Sequence, residues 1–393
     1  MLDINFLQQY LRINTAHPFP NYRDVLRLFS QQAEKDGFKF FTVQLPSRLP
    51  ILVISYEGSD PSMPSLVLNH HMDVVPADIS QWSKHPFSGA FENDTIFGRG
   101  VQDMKGVGFV HYEALKKIKE AGIKLKRTVH LLLVPHEEIG GFEGLGQFIE
   151  TEEFEKLRIG FVLDEGLPSS DESRLKIKVS ERKAMQIKFT SRGDTSHGSR
   201  LHCMNALHEL VLCLAQIAQF QKKQQKIVDQ PPGLLISANI TSLNAGVMQQ
   251  QQVAINVVPG IAMATLDIRV PSSMSIDQAR LFIDDIIKDF PGISYVVHAQ
   301  VKERPYTEHS GSFMYETLEK AINKNNIQAE PYFAEETTDL RFYEEKGIEG
   351  LGFTPFLVQA NIHGVDECVR ISDLELGVAV FFDFLKAFCL EEV

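Results

Sequence analysis

Two hydrophobic periods alternate along this chain, and where each occurs predicts its elements. Apolar residues at helical spacing run through Phe6–Leu11 and Tyr22–Asp36. The segments Ile51–Tyr56 and Ser65–Leu68 are short, β-branched or apolar, and read as strands. Val107–Ala121 predicts a helix, opened by the small residues Gly106 and Gly108. Thr128–Val134 and Gly160–Leu163 are near-continuous apolar runs, as expected of strands covered on both faces. Strand, helix and strand in this rhythm predict an α/β domain with a mostly parallel sheet flanked by helices.

After about residue 180 the rhythm changes. Strand patterns at Lys183–Thr190, Leu234–Leu243, Ile261–Val270 and Gly292–Val301 enclose helical patterns at Asn205–Lys222 and Ile276–Phe290. That βαββαβ order predicts a small α+β unit of the ferredoxin-like, split-βαβ type. From about Ser310 the first pattern resumes, with a helix at Ser312–Lys324, a strand near Leu351–Phe353 and a last helix at Ile371–Phe388. The expected organisation is one α/β domain formed by residues 1–180 and 305–393, interrupted by an inserted domain at 181–304. The glutamine-rich stretches Gln221–Gln230 and Gln249–Gln252 read as solvated loops or helix ends.

A chain of 393 residues is long enough for more than one core. With 51 acidic against 39 basic residues its net charge of −12 argues against a nucleic-acid partner. Lys116, Lys117 and Lys119 form the solvated face of a helix rather than a basic patch. The four cysteines lack any CxxC pairing, which suits buried thiols in a reducing compartment. The amphipathic start lacks the features of a secretory signal, and no run of about 18 apolar residues predicts a membrane span. The expectation is a cytoplasmic protein without a membrane partner.

The chemistry-bearing residues gather where apolar runs end. In LVLNHHMDVVP (Leu66–Pro76), His71 and Asp73 share one face of a strand end while His70 points away. An H-x-D pair suits a metal-binding imidazole oriented by a carboxylate, although a core histidine beside a capping aspartate has the same pattern. In FGRGVQDMKGVG (Phe97–Gly108), Asp103 stands between glycine-flanked turns before a helix. It is placed either to cap that helix or to bridge two metal ions. In LLLVPHEEIGG, adjacent Glu137 and Glu138 follow an apolar strand, so that one can bind metal while the other holds a water. FVLDEG runs a strand into Asp164 and Glu165, and NIHGVDE sets His363 in a loop before Asp366 and Glu367. Each segment alone has an ordinary structural reading. Together they place two histidines and several carboxylates, without thiolates, at the strand ends where open α/β sheets bind ligands. That donor set matches two zinc ions bridged by one carboxylate. Such a pair activates a water and holds the oxygen of a scissile bond.

These segments, in this order and over nearly the whole chain from Phe6–Tyr22 onward, resemble the aminoacylase/carboxypeptidase/desuccinylase superfamily of two-zinc hydrolases, above all its aminoacylase branch. The resemblance implies that His71, Asp103 and Glu165 hold one zinc and Asp103, Glu138 and His363 the other. It implies Asp73 as the residue orienting His71 and Glu137 as the general base. It makes the inserted domain a lid and dimerisation domain whose His197 steadies the oxyanion in a partner's site. Asn256 and Arg341 would bind substrate, the arginine clamping its free carboxylate; Arg269 is a second candidate, better read as a surface arginine at a strand end. The implied reaction is hydrolysis of an N-acyl-L-amino acid by a homodimer. Two other readings stay open: a dipeptidase or carboxypeptidase with the same metals, and a binding protein without catalysis. The chain departs from the family pattern at His70, where a small residue is usual, at His136, able to shift the pKa of the base, at Leu340 and at Gly364-Val365. The Gln249–Gln252 stretch lies close to Asn256.

Overall fold

The computed structural model describes residues 2–201, 203–249, 252–297, 312–358 and 360–390. They divide into two compact units, Met1–Val179 with Thr307–Tyr332 and Thr338–Val393, and Ser180–Tyr306 with Phe333–Thr337.

The first unit is built on an eight-stranded sheet. Its spatial order is Lys39–Gln44, Pro50–Tyr56, Val129–Val134, Ser65–His71, Ile159–Asp164, Glu349–Phe353, Arg174–Glu181 and Gln328–Ala334. The four strands from Val129–Val134 to Glu349–Phe353 are mutually parallel. Pro50–Tyr56 joins this core antiparallel on one side and Arg174–Glu181 on the other. Val129–Val134 is buried along its full length, as its near-continuous apolar run predicted, whereas of Ile159–Asp164 only the second half is buried; Ser65–His71 is buried throughout as well.

Burying the polar end of Ser65–His71 requires partners. Asn69 donates to Asp164 Oδ1 at 2.9 Å and accepts from the Tyr343 hydroxyl at 2.9 Å, while His70 Nε2 meets the Tyr10 hydroxyl at 2.7 Å. The helix Lys105–Glu120 lies directly on this strand. A Cβ at Gly108 would stand 2.3 Å from the His70 ring, so only glycine permits the approach. On the same helix, His111 is buried edge-on to Phe381, with ring centroids 4.6 Å apart and, among the described residues, no partner for either ring nitrogen. The helix Ile371–Phe388, which carries Phe381, packs against it.

The second unit has four antiparallel strands in the order Ser237–Ala245, Ile261–Val270, Lys183–Arg192 and Ile293–Val297, with helices Ala206–Gln224 and Ile276–Ile287. Ile261–Val270 alternates strictly between buried and less buried positions, and its buried side forms a core with Phe189, Leu210 and Ile283. Chain order and spatial order together are ferredoxin-like, as expected.

Three strands of the eight-stranded sheet escaped the sequence pattern, as did the small sheet of Ala90–Glu92, Thr95–Phe97 and Cys368–Arg370. Lys39–Gln44 is an edge strand with only Val43 buried. Gln328–Ala334 lies at the other edge. Arg174–Glu181 buries charged residues that read as polar; Lys178 Nζ donates to Thr338 Oγ1 at 2.7 Å. In the glutamine-rich regions, Met248–Gln249 pairs with Gln252–Val253 instead of forming a plain loop, and Gln221–Gln224 ends a helix. Of the strand expected at Gly292–Val301, residues 298–301 lie outside the described residues, as does the domain boundary expected at 304. Among the described residues, no helix is long and apolar enough to cross a membrane.

Burial pushes the His111 imidazole down to about 3. Its folded pKa therefore lies below its unfolded value of about 6.5, the unfolded chain binds the extra proton, and stability falls as pH drops below about 6.5. His111→Phe keeps the aromatic contact and removes this penalty. Urea melts in the presence of chelator should show the variant gaining on the wild type by about 1 kcal/mol per pH unit from about pH 6 to about pH 4. Parallel pH profiles would refute this account of His111.

Candidate active site

The parallel strands deliver their carboxyl ends to one place. His71 closes Ser65–His71, the Glu137–Ile139 turn follows Val129–Val134, and Glu165 follows Ile159–Asp164. Asp103 precedes the helix Lys105–Glu120 without occupying its cap position, which is taken by Met104, and Met104 makes no side-chain capping bond. Its carboxylate is thereby left for other partners. Oδ1 lies 3.0 Å from His71 Nε2 and Oδ2 lies 3.2 Å from His363 Nε2. His363 Nε2 is also 3.0 Å from Glu138 Oε2, and Glu165 Oε2 is 3.6 Å from His71 Nε2. The ligand atoms of His71, Asp103 and Glu138 lie within 4.8 Å of one another, as do those of His71, Glu137 and Glu165. All five expected ligands thus lie close together, but the two compact groups differ from the expected pair: they share His71, and one holds Glu137 where Asp103 was expected.

The electrostatics suit cations. Burial raises the Glu137 and Glu165 carboxyls well above the usual carboxylate range, and neighbouring acids push them further. Burial opposes charge on Asp103 as well, yet hydrogen bonds from His363 and His71 hold it well below that range. Hydrogen bonds that His363 donates to Asp103 and Glu138 lift its imidazole to about 10. Burial works against a proton on His71, but the charges of Glu165 and Asp103 overcome it and raise the imidazole well above its ordinary value. So many buried acids demand positive charge, and their oxygen and imidazole donors are the ligands that divalent zinc takes.

Asp73 acts differently from the sequence expectation. The side chain of His71 is oriented by the main-chain oxygen of Asp73, 3.0 Å from Nδ1, while the nearer carboxylate oxygen stands 4.0 Å away. The Asp73 carboxylate instead accepts from the Glu137 and Glu138 amides at 3.2 and 3.1 Å and pairs with His17 Nε2 at 2.8 Å. The turn it anchors needs anchoring. His136 has φ +77°, a left-handed conformation costly for a residue with a Cβ, and its amide donates to the Tyr22 hydroxyl at 3.1 Å. His17 and Tyr22 were given no role by the sequence, because both sit far upstream in a segment without acids. His136, expected to influence the base, has its ring toward Glu143 at 3.6 Å and toward the His17 ring, 6.0 Å between centroids.

Arg341 stands beside the turn that follows the glutamates. Its Nη2 donates to Gly140 O at 2.6 Å and its Nη1 to Thr338 O at 2.9 Å, and the guanidinium lies over the Phe342 ring at 4.4 Å. Each terminal nitrogen retains a second N–H for an incoming acceptor. Asp339 is fully buried, and among the described residues neither of its oxygens has a hydrogen-bond partner; burial lifts its carboxyl to about 8. In the second unit, His197 and Asn256 are exposed neighbours: Ser196–His197 pairs with Val257–Val258, and Gly198 donates to Asn256 O at 2.7 Å. His197 Nδ1 bonds Ser199 Oγ at 2.8 Å. Arg269 is held by Asp267 at 2.6 Å and by Thr337 at 3.2 Å, the structural role preferred for it.

A mostly parallel sheet whose strand ends converge on this cluster defines a metal-dependent amidohydrolase. A model of peptidase family M20/M25/M40 matches residues 67–387, and the chain belongs to that family. It is 32% identical to aminoacylase-1 of Dictyostelium discoideum, covering 96% of each chain. Among solved structures it resembles an M20 family metallo-carboxypeptidase from Sulfolobus solfataricus, with TM-score 0.75 and 18% identity over 100% of both chains. It also resembles a dinuclear metal binding peptidase of the M20 family from Bacillus subtilis, with TM-score 0.69 and 12% identity over 98% of this chain and 97% of the other.

If Asp103 is shared by two metal ions, as expected from the sequence, losses of metal should be unequal. His363→Ala should leave one strongly held equivalent, through His71, Asp103 and Glu165, whereas Asp103→Ala should lose both. Metal analysis after dialysis checks this, and equal losses in the two variants would contradict a shared carboxylate.

Proposed function

We propose that this protein hydrolyses N-acyl-L-amino acids to a carboxylate and a free L-amino acid, using two zinc ions per chain. The observation that carries the reading is Asp103, whose two oxygens meet imidazoles from different segments, with Glu137 beside the same cluster. His71, Asp103 and Glu165 would hold one zinc, and Asp103, Glu138 and His363 the other. Bound there, zinc supplies Lewis-acid polarisation of the amide carbonyl and makes water more acidic.

The chain's own residues carry the remaining work. Glu137, beside the cluster, takes a proton from water and returns it to the leaving nitrogen. Asp73 holds the base in place through the Glu137 amide, and its main-chain oxygen sets the tautomer of His71. Arg341 takes the substrate's free carboxylate through its spare N–H groups, its plane fixed by Phe342. The likeness to aminoacylase-1 supports the substrate class. We further assign His197 to the oxyanion and Asn256 to substrate binding, in an inserted domain at 181–304 that serves as lid and dimerisation domain between catalytic segments 1–180 and 305–393. The working form is a cytoplasmic homodimer.

A panel of acetyl-, chloroacetyl- and longer N-acyl amino acids beside simple dipeptides, assayed with added zinc, tests the substrate. Preference for dipeptides would replace this reading with a dipeptidase. Glu137→Gln should lower kcat on the order of 10²–10⁴-fold with zinc still bound. Wild-type turnover in that variant would remove Glu137 from the mechanism.

A further inference from the structure

The loop that carries His363 also carries Glu367, an acid with no part in the chemistry above. Its side chain is completely buried. Oε2 accepts from Arg99 Nη1 at 2.8 Å and from the Gly100 amide at 2.9 Å. Oε1 accepts from the Gln102 amide at 2.7 Å and, more loosely, from the Asp103 amide at 3.3 Å. An arginine alone would neutralise this carboxylate. The structure adds amides from three residues of one turn, and that turn ends on Asp103. A carboxylate filling a concave set of amides fixes the backbone that forms it.

The contact reaches across the chain in both directions. Arg99 Nη2 donates to His363 O at 3.2 Å. Gln102 donates to Cys368 O and accepts from the Asn361 amide, both at 2.9 Å. The Gly98 amide donates to Glu367 O at 3.0 Å. Residues 98–103 and 361–368 are thereby stitched into one rigid piece, with Asp103 and His363 projecting from its two halves.

We propose that Glu367 is a positioning residue for the metal centre: it shapes the Asp103 turn and holds it in register with the His363 loop. This rests on the two-metal reading above. A bridging carboxylate must serve two ions about 3.5–4 Å apart, and ligands must be held to about 0.5 Å to do so. Asp103 has no helix-capping bond of its own to fix it. Glu367 supplies that restraint from a segment 264 residues away.

Titration of the metal-free full-length protein with zinc, read by calorimetry or by competition with a fluorescent chelator, tests the assignment. The wild type should bind two equivalents; if it does not, the two-metal reading fails and this proposal falls with it. His363→Ala should weaken one equivalent. Glu367→Gln keeps the size of the side chain but turns an amide group toward donors. It should weaken both equivalents by about 10–100-fold, the usual effect of losing a partner behind a metal ligand. At saturating zinc its kcat should drop while KM is little changed. A folded Glu367→Gln protein with wild-type zinc affinities, even one of lower thermal stability, would overturn the proposal and leave Glu367 as a fold-stabilising ion pair. If that variant does not fold, Glu367→Asp decides, since it keeps the charge for Arg99 but withdraws it from the turn. Weakened zinc binding in Glu367→Asp supports positioning, and full rescue overturns it.

Discussion

Acids of like charge repel and lose hydration when buried together, so a cluster of them survives only where positive charge and fixed donors compensate. Asp103, Glu165 and their neighbours at the strand ends are such a cluster, and much of the first unit answers to it. Two imidazoles meet the oxygens of Asp103. Main-chain amides satisfy the acids behind it: those of Glu137 and Glu138 reach Asp73, and those of Gly100, Gln102 and Asp103 reach Glu367. The metal-binding chemistry and the buried architecture are therefore one electrostatic arrangement seen at two depths.

Two of the non-glycine residues with left-handed backbone carry or adjoin the cluster's side chains. His136 and His363 both adopt left-handed conformations, at φ +77° and +63°. Such residues persist where surrounding bonds over-determine them. His136 is gripped by Tyr22 through its amide and by Gly141, whose amide donates to its carbonyl at 2.7 Å. The Asn361 side chain closes the His363 loop by donating to Val365 O at 2.6 Å. Strain in each case aims one side chain at the cluster. A relaxed backbone would point Glu137 or His363 elsewhere.

Much of this could be read from the chain. The parallel core was legible because Thr128–Val134 and Gly160–Leu163 are apolar without alternation, which only strands covered on both faces require. Glu137, Glu138, Asp164 and Glu165 were legible because they follow such runs, and Asp103 because of its glycine-flanked turn. Edge strands were not: Lys39–Gln44 exposes most of its residues, so no period marks it. Arg174–Glu181 was hidden for the opposite reason, since its buried Lys178 depends on Thr338, a partner that no local pattern contains.

The sequence by itself determined the donor set, the segments that carry it and the order of the elements that present them, because strand periodicity and chain order are local properties. Which side chain answers which was decided only in three dimensions. Asp103 had equal claims as a helix cap and as a bridge until the helix start proved to leave it uncapped, with an imidazole on each oxygen. Asp73 seemed matched to His71 by its spacing, yet its carboxylate serves the Glu137–Glu138 turn and His17. Glu367 carried no signal beyond being an acid near a histidine, and its partners lie more than 260 residues upstream. Hydrogen bonds depend on ångström-scale distances and on burial, and those are properties of the packed chain.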